Sequence, residues 1–253
     1  MIAWLKSLID RKPVRYPSSP DGMALYAIGD IHGRSDCLRR MHDLIDRDVA
    51  TRAAECGVLE IYIGDYVDRG PDSKGVIDLL IARAASTPIV ALKGNHEIMM
   101  ESFLQGRIPF EHWRGLGGLE TVLSYGVDAR ELLRRGGVQP SDLAEKVPIS
   151  HRKFIGELKG LHTAGGYCFV HAGLRPGVAM ERQTIEDIAW IREDFLDFPG
   201  DFGFTVVHGH TPVPDIEFLP HRINIDTGAY MTNRLSVLRI DAEGVCALEP
   251  APT

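Results

Sequence analysis

Three short phrases recur along the first hundred residues: Gly29-Asp30-Ile31-His32-Gly33, Gly64-Asp65-Tyr66-Val67-Asp68-Arg69-Gly70 and Gly94-Asn95-His96-Glu97. Each follows an apolar run, so each delivers oxygen and nitrogen ligands at the end of a strand. Two later phrases repeat the arrangement: His171-Ala172-Gly173 after Tyr167 to Val170, and His208-Gly209-His210-Thr211 after Thr205 to Val207. Together they offer Asp30, His32, Asp65, Asn95, His171 and one of His208 or His210 as a mixed nitrogen and oxygen set. Such a set without thiolate suits two divalent ions such as Mn²⁺, Fe²⁺ or Zn²⁺ better than a structural zinc–cysteine site. A pair of these ions clamps the attacking and leaving oxygens of a phosphoryl group and lowers the pKa of a bound water towards about 7. The two oxygens of Asp65, in the middle phrase, are the natural bridge. Arg69 offers a planar fork to phosphate oxygens, and His96, oriented by Asp68, is placed to protonate a leaving oxygen. The chemistry indicated is hydrolysis of a phosphate ester.

These ligands need strands to carry them. Ala24 to Ile28, Val58 to Ile63 and Ile89 to Leu92 read as strands. A helix capped by Ser35 or Asp36 and running to about Ala53, and one from Asp72 or Ser73 through Ala85, lie between them. This is a βαβαβ unit with parallel strands. Asp30 and Asp65 are 35 residues apart and Asp65 and Asn95 are 30 apart, which fits crossovers of about 30 residues. The three phrases therefore share one sheet edge, where open α/β sheets bind ligands. Residues 98–160 read as helices and loops: Ile98 to Leu104, Leu119 to Tyr125, Ala129 to Arg134, Ser141 to Val147 and His151 to Leu158. Strand character returns at Tyr167 to Val170, Thr205 to Val207, Arg222 to Ile225, Leu235 to Ile240 and Val245 to Leu248, a β-rich second layer of mixed or antiparallel pairing.

With 253 residues and 44% hydrophobic composition the chain can bury a substantial core. Residues 1–22 read as an N-terminal extension and linker, and residues 23–253 as one catalytic domain. A formal net charge of −7 argues against a nucleic-acid partner. Four scattered cysteines imply reduced thiols, and no run is long and apolar enough for a membrane span. The expectation is a cytoplasmic protein.

The phrases GDIHG, GDYVDRG, GNHE, HAG and HGHT resemble the motif series of the metal-dependent phosphoprotein phosphatases, the calcineurin-like metallophosphoesterases, and most of all the bacterial and phage branch that includes lambda phosphatase. The similarity continues through His112-Trp113, Gly117-Gly118, Trp190-Ile191-Arg192-Glu193 and Asn224 to Ala229, and covers about residues 23–241. It implies an α/β fold with a central β-sandwich of mixed sheets flanked by helices. It implies Asp30, His32 and Asp65 as ligands of one metal, and Asp65, Asn95, His171 and His210 as ligands of the other, with His210 rather than His208 at the ligand position. It makes Asp68 and His96 the leaving-group protonation pair and gives Arg69, Arg192 and Asn95 to the substrate phosphate.

On this resemblance the first expectation is a serine/threonine phosphoprotein phosphatase, acting on phosphoproteins or phosphopeptides by direct attack of a metal-bridging hydroxide, with Mn²⁺ as the leading metal. The alternative is hydrolysis of dinucleoside polyphosphates such as diadenosine tetraphosphate, because the diadenosine tetraphosphatases share the scaffold. In those enzymes, as the resemblance implies, the third phrase usually reads GNHD and the second lacks the D-R-G ending. The endings VDRG and GNHE here favour the protein phosphatase.

Overall fold

The computed structural model describes residues 16–52, 57–128, 132, 134 and 136–248. The amphipathic stretch at residues 1–10, most of the helix expected at Ala129 to Arg134, and Cys56 lie outside the described residues.

Strand β1 (Met23–Ile28) alternates in which face it buries: Ala24, Tyr26 and Ile28 pack on one side and Leu25 and Ala27 on the other. A strand buried on both faces needs a layer on each side, and the chain supplies them. β1 pairs in parallel with β2 (Gly57–Tyr62), which pairs in parallel with β3 (Ile89–Ala91). The intervening helices Ser35–Ala50 and Ser73–Ala84 cover the Tyr26 face. The βαβαβ unit expected from the sequence is therefore present.

The second sheet joins β4 (Leu161–Ala164), β5 (Tyr167–Val170), β6 (Thr205–His208), β8 (Arg222–Asn224) and β7 (Glu217–Phe218), in the spatial order β4-β5-β6-β8-β7. Its pairing is mixed, parallel for β5–β6 and β6–β8 and antiparallel at both edges. The two sheets meet face to face. Leu25, Ala27, Ile61, Ile63 and Val90 of the first interleave with Phe169, Val207, Ile223 and Ile225 of the second. Each such fully buried aliphatic side chain contributes about 1.5–3 kcal/mol relative to exposure. On the outer face of the second sheet, Cys168, Val170 and Val206 pack against Ile188, Ile191 and Phe195. The result is a β-sandwich of mixed sheets with helices on both outer faces.

Several sequence expectations change. Of the last two strands, β9 (Val237–Asp241) pairs antiparallel with β1 and β10 (Gly244–Leu248) pairs antiparallel with β9, so both extend the first sheet instead of the second. Periodicity marks a strand but not its neighbour, which is why the sequence places them with the strands next to them in the chain. The helix after β1 starts without a side-chain cap, because Ser35 Oγ donates to Asp72 Oδ2 at 2.5 Å. Asp72 in turn caps the next helix through Gly75 N–H at 2.9 Å. The helix read from Ile98 begins at Asn95, so the third phrase is its first turn. Residues 16–22, read as linker, are tied to the body: Tyr167 Oη donates to the Pro17 carbonyl at 2.5 Å and Tyr16 Oη to the Leu219 carbonyl at 3.1 Å.

Candidate active site

Five strand ends converge. Asp30, His32, Asp65, Asp68, Asn95, His96, His171 and His210 are all buried and come together between the C-terminal ends of β1, β2, β3, β5 and β6. Parallel strands with right-handed crossovers bring their carboxyl ends to the same edge, and both sheets open at that edge.

The backbone there is strained. Among the described residues six non-glycines have positive φ, and five of them are site residues: His32 (45°), Asp65 (54°), Asp68 (73°), Arg69 (68°) and His210 (66°). Left-handed conformations of non-glycine residues cost roughly 1–3 kcal/mol each and persist where the surroundings hold them. Two glycines make the remaining room. A β-carbon on Gly94 would stand 2.1 Å from Asp65 Oδ1, and one on Gly209 would stand 2.1 Å from Asp30 Oδ1.

Asp65 is the hub. Its Oδ2 lies 3.4 Å from His32 Nε2 and 3.8 Å from His96 Nε2, and its Oδ1 lies 3.4 Å from His171 Nε2. Potential donor atoms fall into two triplets that share it, His32-Asp65-His96 and Asp65-His171-His210. The family resemblance implies Asp30 beside His32 and Asp65. Asp30 stands outside the first triplet, with Oδ2 accepting from the His210 N–H at 3.1 Å and Oδ1 buried without a hydrogen-bond partner.

The imidazoles are oriented from behind. His32 Nδ1 donates to the Val67 carbonyl at 2.9 Å and His171 Nδ1 to the Ile63 carbonyl at 3.0 Å, which leaves both Nε2 lone pairs directed inward. His171 Nε2 then faces Asn95 Oδ1, another acceptor, at 3.0 Å. Two acceptors at that distance repel unless a cation lies between them or the amide is turned. His96 Nε2, His210 Nε2 and Asp30 Oδ1 are buried with no hydrogen-bond partner, a costly state for polar atoms unless a ligand satisfies them. Inward lone pairs, orphaned buried donor atoms and a shared carboxylate fit a centre of divalent ions held by nitrogen and oxygen.

Electrostatics agree. Burial pushes the Asp65 carboxyl up, but the imidazoles of His171, His96, His32 and His210 outweigh it and hold its pKa below the ordinary carboxylate value. Burial pushes Asp30 well above its usual value, reinforced by Asp226 and Asp65. Burial lowers the pKa of His32 and of His210, and the Asp65 carboxylate beside them opposes that pull.

Behind Asp65 stands a second layer. His96 Nδ1 donates to Asp68 Oδ2 at 2.7 Å, and the same carboxylate accepts from Trp113 Nε1 at 2.7 Å and Thr121 Oγ1 at 2.6 Å. Burial lowers the pKa of His96, yet Asp65 and Asp68 together raise it above its usual value. Glu97 has a different task. Its carboxylate accepts from the backbone N–H groups of Gly94 (2.9 Å), Asp65 (3.0 Å), Tyr66 (2.8 Å) and Val67 (3.2 Å), joining the second phrase to the third.

Arg69 and Arg192 occupy different settings. Arg69 Nη1 donates to His32 Nε2 at 2.8 Å and its guanidinium lies 4.9 Å from the Tyr230 ring centroid. Arg192 is exposed and donates to Thr211 Oγ1 at 3.3 Å, one residue beyond His210. His208 packs edge-on against Phe195 at 4.9 Å, away from the two triplets. Asp226 accepts from Gly228 N–H at 2.9 Å and shapes the turn as the sequence suggested. The roles of Glu97, Trp113, Thr121 and Tyr230 were not assigned from sequence. Trp113 and Thr121 act across long chain separations; the signals in the sequence are Glu97 at the end of the third phrase, Trp113 in the His112-Trp113 match and Tyr230 just after Asp226-Thr227-Gly228-Ala229.

Residues 23–242 match the family described as calcineurin-like phosphoesterase. An asymmetrical bis(5′-nucleosyl)-tetraphosphatase of Anoxybacillus flavithermus is 28% identical over 237 residues, covering 84% of this chain and 88% of that protein. The crystal structure of a candidate diadenosine tetraphosphatase superposes with a TM-score of 0.60 at 19% identity, covering 94% of this chain and 100% of that one. A cold-active protein tyrosine phosphatase superposes with a TM-score of 0.59 at 15% identity, covering 96% and 80%. At such identities the two superpositions speak to the fold alone.

Proposed function

The chain belongs to the calcineurin-like phosphoesterase family, and from that premise we propose that it hydrolyses dinucleoside polyphosphates, with diadenosine tetraphosphate as the reference substrate. The observation that carries this reading is the 28% identity to a bis(5′-nucleosyl)-tetraphosphatase, spread over 84% of this chain. Identity of that extent reaches beyond the ligand phrases.

This reverses the order that the phrase endings suggested, for a physical reason. Glu97 is engaged by four backbone amides. Asp68 and Arg69 engage His96 and His32. All three serve the reaction centre, which a phosphopeptide and a dinucleotide would share, so the endings do not exclude the dinucleotide.

In this proposal Asp65 would serve both ions, His32 and Asp30 would complete one set, and Asn95, His171 and His210 the other; Mn²⁺ is the first ion to test. When bound, the ions supply Lewis acidity towards the phosphate oxygens and a water that ionises near neutral pH. The remaining work falls to side chains. Arg69 and Arg192 orient the phosphate chain through their guanidinium forks. Asp68 fixes the His96 ring so that Nε2, the buried nitrogen without a partner, points at the centre and delivers a proton to the departing oxygen.

A serine/threonine phosphoprotein phosphatase is the second reading. One observation favours it: the fully buried Asp68–His96 pair. A serine alkoxide is a poorer leaving group than a nucleoside phosphate and has the greater need of that proton. Comparing kcat/KM for diadenosine tetraphosphate and a phosphothreonine peptide, with Mn²⁺ added, separates the two. The dinucleotide is expected to be the better substrate, and a preference for the peptide would overturn the proposal.

A further inference from the structure

A half-buried aromatic ring stands on each side of Asp65, Tyr230 beside His32 and Trp190 beside His210. Beside His32, the Tyr230 ring lies under the Arg69 guanidinium at 4.9 Å and meets the imidazole edge-on at 5.3 Å. Beside His210, the Trp190 indole stands edge-on at 6.4 Å, and Arg192 follows two residues later. His32 faces Oδ2 of Asp65, whereas His210 belongs with His171 to the triplet on the other side. Arg69 donates to His32 of one triplet at 2.8 Å, and Arg192 donates to Thr211, the residue after His210 of the other, at 3.3 Å.

We propose that Trp190 and Tyr230 are stacking platforms for the two nucleobases of a dinucleoside polyphosphate, with Arg192 and Arg69 beside them gripping the phosphates between. The inference rests on the tetraphosphatase reading and names how that substrate is held. Such a substrate is an anionic chain with a flat ring system at each end, and two aromatic rings with an arginine near each, about a central phosphoryl site, match it. A phosphoseryl side chain has no ring to offer either platform. Tyr230 already carries Arg69 on its ring, so a base on the opposite face completes a stack of base, phenol and guanidinium. Trp190 presents the larger face and is the stronger platform.

The test uses the Mn²⁺-loaded protein and two competitors of diadenosine tetraphosphate turnover, adenosine 5′-monophosphate and ribose 5-phosphate, which differ only in the base. In Trp190→Ala and in Tyr230→Ala, the KM for the dinucleotide and the Ki of the adenine nucleotide are expected to rise about tenfold, while the Ki of ribose 5-phosphate holds. Trp190→Phe and Tyr230→Phe keep a ring and are expected to restore most of the loss, which also answers for folding. Equal increases for both competitors, or no increase for either, would overturn the stacking assignment. Failure of the wild type to cleave diadenosine tetraphosphate, with the phosphothreonine peptide cleaved, would overturn the parent reading, a result visible before any variant is made.

Discussion

His96 Nδ1 lies 2.7 Å from Asp68 Oδ2, and both side chains are fully buried. Trp113 and Thr121 hold the same carboxylate, so the imidazole is fixed in one tautomer and one orientation. His96→Asn is expected to lower kcat by roughly 10²–10⁴-fold, the range of a lost general acid, while metal content measured by mass spectrometry stays at the wild-type level. His96 also falls in a possible donor triplet with His32 and Asp65; loss of one metal equivalent in this variant would make it a ligand and sink the acid assignment.

Asp65 is the one residue shared by both triplets. Asp65→Asn replaces one carboxylate oxygen by an amide nitrogen that cannot ligate. Metal content is expected to fall at both positions together. Depletion of only one equivalent would show that Asp65 serves a single ion.

Gly94 is where the chain yields to Asp65. A β-carbon there would stand 2.1 Å from Asp65 Oδ1, so Gly94→Ala must displace the carboxylate. The expected outcome is a folded protein whose affinity for Mn²⁺ is weaker by about 10–100-fold, the usual effect of disturbing the support of a metal ligand. Unchanged affinity in a metal titration would contradict it.

Glu97→Gln tests the join between the second and third phrases. The amide keeps one acceptor oxygen, and its NH₂ faces backbone N–H groups that can no longer be satisfied. Each buried unsatisfied donor costs about 1–3 kcal/mol, and a domain of this size loses about 2–4 °C of Tm per kcal/mol. Calorimetry is expected to show a Tm lower by several degrees; an unchanged Tm would mean that the carboxylate is dispensable to the fold.

Away from the site, His42 Nε2 donates to Tyr62 Oη at 2.8 Å, and that hydroxyl donates to the buried Glu60 at 2.5 Å. Burial lowers the pKa of His42 below its usual value. The neutral ring is the native form, so its contribution to stability is complete above about pH 6.5, the unfolded value, and is lost as pH falls below it. Tm is expected to decline from pH 7 to pH 5 more steeply in the wild type than in His42→Gln. Parallel declines in the two proteins would assign the acid sensitivity elsewhere.

The ligand types, their strand-end positions and the βαβαβ order are local properties of the chain, and the sequence alone determined them. Apolar runs ending in Gly-Asp or Gly-Asn specify a strand and the turn after it without reference to distant residues. The sequence also placed Asp68 and Arg69 within the second phrase and His96 within the third, which is why their involvement was legible.

What the tertiary structure decided depends on contacts far apart in the chain. The pairing of β9 with β1 is one such contact. Trp113 and Thr121 reach Asp68 across 45 and 53 residues, and Tyr230 meets His32 at 5.3 Å from the opposite end of the domain. Only the fold could show that Glu97 answers four backbone amides. In the sequence, as the ending of the third phrase, that glutamate points to substrate choice. In three dimensions it holds a loop, because its nearest partners are the amides that the strained turn at Asp65 leaves without strand neighbours.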